Sequence, residues 1–218
     1  MSRPKRELTR KFVVFCEGNT EYYYIDELRR LLPCAVNIRV EPDNLEGGGY
    51  HSFLEQIRTS ADSNCIAKFI LVDLDRYLKD PAERPAFQDL IAYCDSRNRS
   101  AAVPHFLIVQ NPDFEYVACT HSPDYKNTDT TRFITSHWGY ESLAKFKADK
   151  RVYDRLNSGN DSWQIAADTL RKRKCYIWHQ YSIDKAKFAV VLHKMMVDAD
   201  AESVKGSNFY ELLDIIQW

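Results

Sequence analysis

Phe69-Ile70-Leu71-Val72-Asp73-Leu74-Asp75-Arg76 is the stretch on which the fold turns. An apolar run with β-branched Ile70 and Val72 reads as a strand buried on both faces, the kind found inside parallel sheets. Two carboxylates follow, two residues apart, where such a strand emerges at its carboxyl edge. In open α/β sheets ligands bind outside that edge. Asp73 and Asp75 there offer several oxygens to a hard divalent cation such as Mg²⁺. The alternative is a turn in which one aspartate caps the next helix.

Upstream, residues 1–10 are polar and cationic, the composition of a short arm, and Lys11–Cys16 (KFVVFC) reads as a second buried strand. It ends at Glu17-Gly18-Asn19-Thr20-Glu21, where Gly18 permits a sharp turn and Asn19 or Thr20 caps a helix. Tyr24, Ile25, Leu28, Leu31 and Leu32 have helical spacing and Pro33 stops them. Glu21 reads as a capping-box partner of Gly18 or Asn19, or as a group behind a metal ligand. Cys34–Val40 alternates like a strand, and Glu41–Gly49 is a turn-rich loop. Its glycines 47–49 lack the Gly-Lys-Ser/Thr ending of a phosphate loop, so they read as a connector. Tyr50–Ser60 is expected to be helical.

Downstream, Glu83–Arg99 carries Phe87, Leu90, Ile91 and Cys94 on one helical face, and His105–Val109 (HFLIV) reads as a fourth strand. Asn111-Pro112-Asp113-Phe114-Glu115 opens a further helix through Tyr116 to His121. Strands alternating with helices argue an α/β fold: a mostly parallel sheet of about four strands flanked by helices. From Ser142 onward the chain reads as mainly helical. Two parts are therefore expected, an α/β domain over residues 1–122 and a mainly helical C-terminal region over 123–218 packed on it.

The 218 residues are 44% hydrophobic and 28% charged, as in ordinary globular chains, and the net charge of −1 says nothing of partners. No apolar run approaches the roughly 20 residues that span a bilayer. The basic N-terminus leads straight into a strand, so it lacks the form of a signal peptide. Six cysteines at 16, 34, 65, 94, 119 and 175 form no C-x-x-C pair, which argues against a zinc site. They read as small buried hydrophobes of a cytoplasmic protein. No Walker motif occurs.

Glu17, Asp73 and Asp75 all lie at predicted carboxyl ends of strands. Three like charges brought together repel unless one stays protonated or a divalent ion, Mg²⁺ or Mn²⁺, joins them. The matching chemistry is metal-assisted phosphoryl transfer, with Glu17 as ligand or general base. Glu115 is either a fourth acid of this site or a charge complementing its helix N-terminus. Asn111 either binds phosphate or caps the helix before Pro112, and His121 either contacts phosphate or is structural. Lys145, Lys147, Lys150 and Arg151 are followed by Arg171, Lys172, Arg173 and Lys174, then Tyr176, Trp178 and His179. Cations interleaved with aromatics suit a nucleic-acid strand, whereas the plain alternative is solvated helix faces.

The order of these motifs resembles the Toprim fold of topoisomerases, primases and nucleases of the OLD type. More narrowly, Cys16-Glu17-Gly18-Asn19-Thr20-Glu21-Tyr22-Tyr23-Tyr24 resembles the C-E-G-x-T-E-x-x-Y opening of the RloB-like family. Asn111-Pro112-Asp113-Phe114-Glu115-Tyr116 with His121 resembles its N-P-x-F-E-x-W…H signature, and Ser207–Leu213 a degraded form of its last motif. Departures are Tyr116 for tryptophan, the missing proline near Asn208, and Arg76-Tyr77 where relatives often carry a further acid or histidine. The resemblance implies a Mg²⁺- or Mn²⁺-dependent nuclease on DNA or RNA, associated with bacterial restriction and phage defence. Glu17, Asp73, Asp75 and Glu115 would then be catalytic, the first three holding metal. Arg76, Asn111, His121, Lys172, Arg173 and Lys174 would contact substrate. The alternative is a non-catalytic sensor or scaffold working with a partner ATPase.

Overall fold

The apolar runs of the sequence lie side by side at the centre of the computed structural model, which describes residues 10–31, 38–44, 48–100 and 103–216. β1 (Arg10–Cys16) leads through α1 (Asn19–Leu31) to β2 (Ile38–Asn44), and α2 (Gly49–Thr59) returns to β3 (Cys65–Asp73). α3 (Asp75–Lys79) and α4 (Arg84–Arg99) connect to β4 (His105–Asn111), which runs into α5 (Phe114–Cys119). Four short helices follow, α6 (Thr130–His137), α7 (Leu143–Lys147), α8 (Val152–Leu156) and α9 (Trp163–Arg171). β5 (Ile177–Asp184), β6 (Ala189–Val197), β7 (Gly206–Ser207) and α10 (Phe209–Ile216) complete the chain.

One sheet has the order β2-β1-β3-β4-β7, its first four strands parallel and β7 antiparallel to β4. The α/β expectation of a mostly parallel sheet flanked by helices therefore holds. From β1 the chain moves outward to β2, then crosses back to β3 and outward again to β4. The reversal falls between β1 and β3, and a crevice opens at such a switch point outside the carboxyl ends.

Side chains along the central strands alternate between two buried layers, as the pleat requires. Phe12, Val14, Phe69, Leu71, Phe106 and Ile108 share a cluster with Tyr24, Ile25 and Leu28 of α1 and Phe209, Leu212 and Leu213 of α10. Val13, Phe15, Ile70, Val72, Leu107 and Val109 instead meet Phe53, Leu54 and Ile57 of α2 and Phe87, Leu90 and Cys94 of α4. Each such side chain contributes about 1.5–3 kcal/mol on burial, so this double layer dominates stability. It also fixes the strand ends in register: Cys16 lies beside Leu71, and Asp73 beside Gln110.

The C-terminal region departs from expectation. Residues 123–216 hold strands as well as helices α6–α10: β5 and β6 pair as an antiparallel ribbon and β7 joins the main sheet. Along β5 burial alternates as the pleat requires, Ile177 and His179 being buried, Trp178 half-buried and Gln180 exposed. The basic run Arg171–Lys174 just before it suggested an exposed helix face and masked that alternation. Gly206 lets β7 pass beneath the preceding chain, since a Cβ there would sit 2.0 Å from the Lys174 carbonyl oxygen.

The expected strand at Cys34–Val40 is shifted to Ile38–Asn44, which takes in part of the presumed loop; residues 34–37 and 45–47 lie outside the described residues. Gly48 and Gly49 adopt left-handed φ of 96° and 77°, a connector conformation. Four of the described cysteines are buried, Cys65 is half-buried, and all five are free thiols. Among the described residues no helix is long and apolar enough to cross a membrane.

Candidate functional site: an acidic cleft at the carboxyl edge

Parallel strands point the same way, so the residues that follow them collect at one edge. Glu17 follows β1, Asp73 ends β3, Asp75 opens α3, and Glu115 stands in the first turn of α5 after β4. With Glu21 of α1 they line one cleft of about 420 Å³. Arg76 and Lys147 line it as well.

Four of the five acids have a specific partner. Glu17 Oε2 accepts the Asp73 N–H at 2.9 Å, and its Oε1 lies 3.2 Å from Arg76 Nε. Asp73 Oδ1 accepts the Phe114 N–H at 3.1 Å, tying β3 to the start of α5. The Tyr50 hydroxyl donates to the Asp73 carbonyl at 2.6 Å and fixes the strand end from the opposite layer. Asp75 Oδ2 meets Lys79 Nζ at 2.8 Å, and Glu115 Oε1 meets Lys147 Nζ at 2.9 Å.

Burial is the first cause of the electrostatics here. It pushes the Glu21 carboxyl up to about 8, with Glu115 and Glu17 adding repulsion. Asp73 is raised well above the usual carboxylate range by burial and then by Glu21, Glu17 and Glu115. Glu17 and Glu115 are raised by burial too, although Arg76 and Lys147 pull the other way. The cleft therefore resists carrying several negative charges at once: its most buried carboxyls hold protons, which an added cation would displace.

The donor set fits a hard divalent ion in kind, since all its ligating atoms are carboxylate oxygens. The arrangement is another matter. Among the described residues no group of three or more His, Cys, Asp or Glu is placed to hold a metal ion. The expected meeting of Glu17, Asp73 and Asp75 at one point is not formed, because Glu17 is turned to Arg76, Asp75 to Lys79, and Asp73 to the Phe114 amide.

The other sequence candidates separate sharply. Arg76 lies in the cleft, but Asn111 and His121 do not line it. The Asn111 amide donates to the carbonyls of Glu202 and Val204, each at 2.9 Å, and so binds the C-terminal region to β4. The helix cap is Asp113 instead, whose Oδ1 accepts the Tyr116 N–H at 3.0 Å. His121 is buried, 2.8 Å from the Tyr24 hydroxyl, and burial lowers it to about 4, so it stays a neutral core group. Lys172, Arg173 and Lys174 lie outside the cleft, and Arg173 engages the Tyr116 hydroxyl. Two of the aromatics beside them are not open to stacking: Tyr176 packs on Phe87 and Tyr77, and His179 Nδ1 is held by Glu211 at 2.6 Å.

Sequence reasoning left Glu21 between a cap and a group behind a metal ligand, and put Lys147 in a general basic patch. Glu21 was legible in hindsight, since it stands in the first turn of the helix that opens just after Glu17. Lys147 was not, for nothing local distinguishes it from its neighbours Lys145 and Lys150. A second polar group, Ser122, His137 and Asp161, lacks the geometry of a nucleophilic relay. Ser122 Oγ and Asp161 Oδ2 both approach the same ring nitrogen, His137 Nε2, at 3.2 and 2.7 Å, whereas a relay uses opposite nitrogens.

No protein-family model, no curated protein and no solved structure matches the chain.

Proposed function

We propose that the chain is a Mg²⁺- or Mn²⁺-dependent nuclease that hydrolyses phosphodiesters of DNA or RNA. One observation carries this reading: Glu17, Glu21, Asp73, Asp75 and Glu115 line a single cleft at the switch point of a parallel sheet. Asp73 and Asp75 would hold the cation. When bound, such an ion polarises a phosphate oxygen and lowers the pKa of water. Glu17 would either join the two aspartates as a ligand or accept the proton of the attacking water, its carboxyl being raised by burial. Glu115 borders the same space and orients Lys147. The Toprim-like and RloB-like resemblance supports a role for this activity in bacterial phage defence.

One observation favours a second reading, a non-catalytic scaffold or sensor. The acids are already engaged by Arg76, Lys79, Lys147 and backbone amides, and no three of them are grouped as a metal site. The deciding experiment incubates the purified chain with Mn²⁺ or Mg²⁺ and end-labelled single- and double-stranded DNA and RNA. Cleavage that disappears in Asp73→Asn with Asp75→Asn supports the nuclease. Binding of a partner ATPase with no cleavage of any substrate supports the scaffold.

A further inference from the structure

Two cations enter the acidic cleft from distant parts of the chain, Arg76 beside the Asp-x-Asp and Lys147 at the end of α7. Their exposure is the opposite of their partners'. The Arg76 and Lys147 side chains are 41% and 51% exposed, whereas Glu17 and Glu115 are 12% and 4% exposed. An exposed cation swings into water or onto another anion at small cost. A buried carboxylate left behind has no such escape and demands a new positive partner. Asp73 and Glu21, also in the cleft, have no ion pair among the described residues.

Resting on the metal-site reading above, we propose that Arg76 and Lys147 are exchangeable counterions of the cleft. They neutralise Glu17 and Glu115 in the metal-free chain, and turn to phosphate oxygens of the nucleic acid once those carboxylates are given to a divalent cation. Arg76 and Lys147 are then positioning residues that compete with metal and cooperate with substrate. Reciprocity follows: a bound phosphodiester strand draws the cations off the acids and tightens metal binding, and metal tightens strand binding by the same factor.

The test is calorimetric titration of Mn²⁺ into the full chain and into Arg76→Gln, Lys147→Gln, Lys147→Arg and Asp73→Asn, with folding checked by circular dichroism. Removing either charge should tighten Mn²⁺ binding about tenfold, the factor that follows from roughly 1.4 kcal/mol. Lys147→Arg should keep the wild-type affinity. The same Gln variants should bind a phosphorothioate oligonucleotide more weakly, and added oligonucleotide should tighten Mn²⁺ binding in wild type. Unchanged or weaker Mn²⁺ binding in both Gln variants overturns the proposal. If Asp73→Asn nevertheless abolishes wild-type Mn²⁺ binding, the metal site stands and only the counterion role falls. If wild type and every variant take up no Mn²⁺, with or without oligonucleotide, both fall together.

Discussion

The two ends of β3 hold opposite solutions to the same problem of burying charge. At its amino end Lys68, 1% exposed, lies 2.7 Å from Asp62 Oδ1 and donates to the Ser60 carbonyl at 2.8 Å. Arg97 adds a second cation to the same carboxylate. Burial alone would raise Asp62, but Lys68 and Arg97 hold it below the usual range. Nearby His105 is kept neutral, lowered to about 4 by burial first and then by Lys68 and Arg97. At the carboxyl end five carboxylates line a cleft with two cations, and Glu17, Glu21, Asp73 and Glu115 shift upward. A buried lysine matched by a half-exposed carboxylate and a carbonyl is architecture; crowded carboxyls at a sheet's ligand-binding edge are the mark of a site.

Substitutions at the two ends should therefore move stability in opposite directions. The largest effect is expected for Lys68→Ala, which strips Asp62 of its buried partner and leaves a hole in β3. Urea unfolding should show a loss of about 3 kcal/mol. A loss under ~1 kcal/mol would mean that the amino-end cluster is as dispensable as a surface pair. At the other end, Asp73→Asn keeps an acceptor for the Phe114 amide while removing a repelled charge. It should raise stability by about 1–2 kcal/mol in the same assay and abolish Mn²⁺ binding, the usual exchange of stability against function.

The pH dependence sharpens the contrast. An unfolded glutamate titrates near 4.5 and folded Glu21 near 8, so between those values the folded chain holds a proton that the unfolded chain has lost. Stability should accordingly fall as pH rises from about 4.5 to 8, by up to ~1.4 kcal/mol per pH unit from this group. Glu21→Gln should flatten that slope in EDTA-containing buffer; an unaltered slope would remove Glu21 from the acidic group. Asp62 acts with the opposite sign, its contribution present above the unfolded value of 3.8 and lost as pH falls through its lower folded pKa. The smallest change is expected for Arg97→Gln, about 1 kcal/mol, because Lys68 remains beside Asp62.

Much of the site was legible because parallel strands convert sequence position into spatial position. Once KFVVFC and FILVD are read as buried parallel strands, Glu17 and Asp73 must share an edge. Asp75 and Glu115 follow by the same logic. The failures have equally physical causes. Asn111 and His121 were ambiguous because a polar residue near a strand end serves a ligand or its own backbone equally well, and only packing chooses. Carbonyls 91 and 93 residues away claimed Asn111, and Tyr24, 97 residues away, claimed His121.

What the sequence alone determined is the alternation of apolar runs and helices, and with it the two-layered parallel sheet whose carboxyl edge carries acids. Local periodicity and burial preference suffice for that, since both are short-range properties of the chain. Tertiary structure alone decided that Ile177–Val197 is a ribbon packed against the sheet, that Tyr176 and His179 are core groups, and that Lys147 faces Glu115. These depend on contacts between segments far apart in sequence, where charge and burial are set by whichever surface the fold brings opposite.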